Sequence, residues 1–133
     1  MIDPTIRARL LALPGEFRDS ARAILQHQEE LRYAKEQREL CKAALLIELA
    51  AKWEQAKLNE SIRKVQADAA LVGDELYMAL EKAVANSEGG IRLNQMMLDS
   101  LRFESTILIA VANNDSGFAE DPYAGERPAL RQG

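Results

Sequence analysis

The chain has 133 residues, a formal net charge of −4, one cysteine and few aromatic side chains, and at this length a single domain with a hydrophobic core is expected. Charged residues make up 29% of it with both signs interspersed, and no apolar run approaches the length of a bilayer span, so a membrane-embedded chain is excluded. The N-terminus lacks a signal-peptide pattern and the lone Cys41 cannot form an intramolecular disulfide, which together point to a cytoplasmic protein.

Much of the apolar content is Ala and Leu, and this composition predicts an all-α fold. Asp3-Pro4 is a helix start: the carboxylate can accept from free amides, and proline's missing N–H costs nothing in the first turn. Ile6, Leu10 and Leu13 then share a face, and this short helix, residues 4–13, is expected to stop at Pro14-Gly15. From Glu16 to Gln55 there is no Gly or Pro, and strong helix formers dominate. One helix over 16–55 follows, about 60 Å long from the rise per residue. Its first half carries a narrow seam of Phe17, Ala21, Ile24, Leu31 and Ala34. Its second half, Cys41 to Ala51, is apolar almost all round and is expected to be buried on several sides, with Leu45 and Leu49 among its contact residues.

The reversal is placed at Ala56-Lys57-Leu58-Asn59, with Asn59 capping a short helix over 60–72 and Glu60 near its positive end. Asp74 caps a last long helix, 74–111. Its facing positions run Tyr77, Leu80, Val84, Ser87, Ile91, Asn94, Leu98, Leu101, Ser105 and Leu108, a seven-residue repeat of the kind that joins helices in coiled coils. The architecture is therefore a long helical hairpin with short N-terminal and connecting helices, oligomerising through coiled-coil-like helices. Asn94 on that seam would cost stability but could fix register or subunit number. At Gly89-Gly90 two readings stand: the helix breaks, or the glycines admit another backbone. Residues 112–133, rich in Gly, Pro, Asn and charge, read as a flexible tail in which Phe118 to Tyr123 could be a docking motif or inert.

No catalytic constellation stands out, so an enzyme is not expected, nor a metal or other cofactor. His27 has no metal-spaced partners, Cys41 lies among Ala and Leu as a small buried residue would, and Gly89-Gly90 is no phosphate loop. Charge distribution is more informative. Residues 1–64 carry 12 Lys and Arg against 10 Asp and Glu, so the acidity lies in the remainder. Along the first long helix Arg32, Lys35, Arg38 and Lys42 are cancelled by neighbouring glutamates. Around the reversal Lys52, Lys57, Arg63 and Lys64 face only Glu54 and Glu60, with Trp53 among them. Cations that track phosphates beside an aromatic face that stacks on bases are the ingredients of single-strand binding. The same residues also fit a structural role, with Glu48–Lys52 and Glu60–Lys64 as helix-stabilising pairs and Trp53 as a packing anchor.

A long helix, then Lys57-Leu58-Asn59-Glu60 and a short helix, then Asp74-Glu75-Leu76-Tyr77 opening a long helix that reaches Leu101-Arg102, resembles the small helical proteins of tailed phages related to the UvsY recombination mediator. The likeness covers roughly residues 30–111. It implies a homo-oligomer, possibly ring-shaped, that binds single-stranded DNA in an infected bacterial cell and helps load a recombinase in place of a single-strand-binding protein. It also places DNA contacts on basic residues near the helical core, for which Lys57, Arg63 and Lys64 are the matching candidates. Two other classes stay open: a helical adaptor or inhibitor that binds a host machine without nucleic acid, and a coiled-coil scaffolding component.

Overall fold

The computed structural model describes residues 2–114. They form three α-helices: α1, Pro4–Ala56; α2, Glu60–Gly73; and α3, Glu75–Ala112. Asp3 opens α1 as expected, its Oδ1 accepting from the Thr5 amide at 2.7 Å. Residues 115–133, which hold most of the expected tail and the whole Phe118–Tyr123 segment, lie outside the described residues.

The expected stop at Pro14-Gly15 does not occur: there is no separate helix over 4–13, and α1 runs through Pro14 without interruption. An interior proline removes one backbone hydrogen bond and costs about 3 kcal/mol. Packing on both sides of it offsets that cost. Leu13 and Ser20 are both buried, so the turns before and after Pro14 rest on the same support. Arg9 adds a second tie, since its Nη2 donates to Glu16 Oε1 at 2.9 Å and to Glu104 Oε1 of α3 at 2.8 Å. One guanidinium thereby spans the two turns that contain the proline.

Contacts divide the chain into two compact units, one joining the residues up to Arg22 with those from Leu93 onward, the other Ala23–Arg92. In the first unit Leu13, Ser20, Leu101 and Ala112 form the buried layer. In the second, Ala34, Val84 and Ser87 are buried and Arg38 Nη1 donates to Glu81 Oε1 at 2.7 Å, tying α1 to α3. The α3 repeat marks the covered face: Val84, Ser87 and Leu101 are buried, and Tyr77, Leu80, Ile91, Asn94, Leu98, Ser105 and Leu108 are half-buried. α1 and α3 form a hairpin-like pair, so this seam is already occupied within one chain.

The stretch Cys41 to Ala51 departs from expectation. Leu45 and Leu49 are half-buried, but Ile47 is 73% exposed and Ala43, Ala44, Ala50 and Ala51 are exposed. Other helices of the same chain cover one side of this segment, and an all-round apolar helix needs more neighbours than that. At Gly89-Gly90 α3 is unbroken. The close approach there comes from a side chain rather than a backbone, because a Cβ on Gly90 would lie 2.6 Å from His27 Nε2, while one on Gly89 would meet nothing within 4 Å.

Candidate nucleic-acid interface

The basic cluster lies where α1 turns into α2, within the unit Ala23–Arg92. Lys57 ends α1 with φ 54°, the left-handed conformation that usually falls to glycine after a helix. Asn59 then caps α2, its Oδ1 accepting from the Ile62 amide at 2.9 Å, and Glu60 stands in the first turn where an anion complements the helix dipole. This local chemistry makes a tight reversal without Gly or Pro. It places the end of α1 beside the start of α2.

Trp53 secures that arrangement, since its indole Nε1–H donates to Gln66 Oε1 at 2.7 Å. The ring is half-buried, so it is partly packed and partly open. Trp53, Arg63 and Lys64 line one open groove of about 710 Å³ together with Glu60, Ser61 and Ala67. Arg63 is half-buried, with its Nε shielded and making no hydrogen bond. Lys64 is exposed. Lys52 and Lys57 are exposed as well but do not line the groove. Three of the five residues singled out by charge and aromaticity are thus brought together, and two stand apart from them.

Glu60 is the counterweight: it lines the same groove, and its negative charge partly offsets the two cations. Gln66 was not legible as part of the site. It is an uncharged residue thirteen positions from Trp53, and only the way α2 lies on α1 makes the two meet.

At the other end of α2, Asp74 serves two helices. Its backbone N–H closes α2 on Leu71 O, while its Oδ2 accepts from the Tyr77 amide of α3 at 2.8 Å. The Cys41 thiol donates to the same Oδ2 at 3.5 Å. Desolvation, then the hydrogen bond and negative charge of Asp74, push the thiol's pKa above its ordinary value. That environment suits an inert cysteine rather than a nucleophile. Among the described residues, no group of three or more His, Cys, Asp or Glu could hold a metal ion, and no helix is long and apolar enough to cross a membrane.

Comparison with protein-family models, with curated proteins and with solved structures finds no match to this chain.

Proposed function

We propose that this protein is a self-assembling helical single-strand DNA binder that acts as a recombination mediator, helping to load a recombinase. The observation that carries the reading is the convergence of Trp53, Arg63 and Lys64 on one open groove at the α1–α2 reversal. An indole face can stack on a base of any identity, and the two cations can follow the phosphates on either side, which gives binding without sequence preference. Lys52 and Lys57, exposed nearby along the chain, extend the positive field toward the strand. Assembly compensates for the modest charge of one copy, because several grooves on one strand act together. The role in recombinase loading comes from the family resemblance alone.

The deciding measurement is binding of a labelled single-stranded oligonucleotide across a salt series. Affinity falls steeply with salt, and neutralising Lys57, Arg63 and Lys64 lowers the logarithmic salt slope by about 2 for each engaged copy, at roughly 0.7 per phosphate contact on single strands. Trp53→Ala weakens binding at every salt concentration without changing the slope. Absence of binding by the assembled protein at low salt overturns the proposal. A partner-binding adaptor or scaffold without nucleic acid is favoured by a different observation, the exposure of large apolar side chains such as Ile47 and Phe103. It predicts no oligonucleotide binding at any salt.

A further inference from the structure

α3 carries a second apolar row. Two positions on from the covered seam, about 200° around the helix, stand Leu93, Met96, Ser100, Phe103 and Ile107. This row faces away from the support that buries Leu101. Leu101 is 7% exposed, whereas Leu93, Met96 and Phe103 are 58%, 64% and 70% exposed. A helix that only needed one covered face would carry charge here, yet Asp99, Arg102 and Glu104 are the only ionisable residues from Leu93 to Val111. Glu104 is already engaged by Arg9.

We infer that this row binds the same row of a second copy of the chain, with the two α3 helices antiparallel about a two-fold axis at Ser100. The inference deepens the self-assembly element of the proposed function and rests on it, but it needs no DNA. Three features select a second copy as the occupant. First, the apolar positions are symmetric about Ser100: Leu93 and Ile107 lie seven residues to either side, and Met96 and Phe103 four and three residues to either side on one edge of the row. A two-fold at Ser100 therefore sets Leu93 against the partner's Ile107 and Met96 against the partner's Phe103, with the small serine at the crossing, as a self-complementary interface requires.

The second feature is charge. Asp99 and Arg102 lie along the same edge of the row and pair within the chain at 3.1 Å. An antiparallel two-fold brings like edges together and reverses them, so the neutral Asp99–Arg102 pair meets its own copy and each Asp99 comes within reach of the partner's Arg102. A parallel pairing would instead turn this edge toward the side of Met97 and Glu104. The third feature is area: the open parts of Leu93, Met96, Met97, Phe103, Ile107 and Val111 amount to roughly 600 Å² of apolar surface, against about 800 Å² per partner in a standard interface. That is also at the upper limit of what a lone soluble chain exposes in one patch.

The test uses the full chain without DNA. Sedimentation velocity at tens of micromolar gives a particle of at least twice the 14.8 kDa chain mass. Phe103→Asp shifts it to the monomer, while circular dichroism keeps its helical signal because position 103 is exposed. Asp99→Arg alone weakens association at least tenfold, and Asp99→Arg with Arg102→Asp restores it. In a Cys41→Ser background, Ser100→Cys yields a disulfide-linked dimer on mild oxidation, whereas Ile109→Cys, exposed but off the row, does not. A monomeric wild-type chain, an oligomer whose mass Phe103→Asp leaves unchanged, or equal cross-linking at both positions overturns the inference. Loss of DNA binding by an intact dimer would instead count against the nucleic-acid reading alone.

Discussion

The imidazole of His27 occupies the space that a side chain at position 90 would need. A Cβ on Gly90 would fall 2.6 Å from Nε2, and Nδ1 of the same ring lies 3.0 Å from Glu30 Oε1, which holds the ring on that side. The neighbouring glycine has no such constraint.

Gly89 and Gly90 should therefore respond differently to alanine. At Gly89 nothing lies within 4 Å of the new Cβ. Gly89→Ala raises stability by about 1 kcal/mol, the helix-propensity difference between the two residues. Gly90→Ala gains the same propensity but displaces the ring, and it comes out at least about 1 kcal/mol less stable than Gly89→Ala, a typical cost of forcing atoms into a packed site. Adding His27→Ala to Gly90→Ala removes that difference. Urea unfolding at matched protein concentration measures all four proteins, since self-association adds to apparent stability.

The reversal offers a second pair of opposed effects. Lys57 sits at φ 54°, where a residue with a Cβ pays about 1 kcal/mol that glycine does not. Lys57→Gly accordingly stabilises the chain by about that amount while removing a cation from the proposed DNA contact. Asn59→Ala loses the bond to the Ile62 amide and destabilises by about 1 kcal/mol. Stability and DNA affinity measured on the same two variants thus move independently.

Cys41 gives a pH-dependent readout of the α2–α3 junction. Because burial and Asp74 raise its pKa, thiolate forms only at higher pH than for a free thiol. Alkylation of the folded protein at neutral pH is slow and its pH–rate curve is displaced upward. Asp74→Asn keeps a capping side chain but removes the negative charge, so alkylation at a given pH becomes faster. Burial remains in that variant, and the rate stays below that of the unfolded chain.

The Arg9–Glu104 pair sets an acid dependence. The hydrogen bond from Arg9, reinforced by its charge, lowers the Glu104 pKa below its usual 4.5. A carboxylate whose pKa is lowered on folding contributes stability that is complete above the unfolded value and is lost as pH falls through the folded one. Glu104→Gln is therefore less stable than wild type at pH 7, and the two unfolding curves converge as the solution is acidified below pH 4.5. A stability difference that persists undiminished at low pH would show that the pair acts through packing alone.

Helix ends and helix faces were legible in the sequence because both are written locally. Asp3, Asn59 and Asp74 each accept from an amide two or three residues ahead. The repeat from Tyr77 to Leu108 marks the face that is covered. Part of the candidate interface was legible for the same reason, since Trp53, Arg63 and Lys64 are conspicuous by charge and ring. The groove they share, the exclusion of Lys52 and Lys57 from it, and the bond to Gln66 depend on how α2 rolls on α1, which no local pattern records.

Sequence alone determined that this protein is helical, where α2 and α3 begin, and which stripe of α3 would be covered, because capping and periodicity act within a few residues. Tertiary structure decided the rest. Helix α1 passes Pro14 because buried side chains on either side, and Arg9 reaching to α3, hold the chain where its own hydrogen bonding would let it end. Position 90 takes a glycine inside an unbroken helix because a histidine 63 positions earlier fills the space a side chain there would need. Once the seam is filled from within the chain, the second row on α3 becomes a surface in its own right.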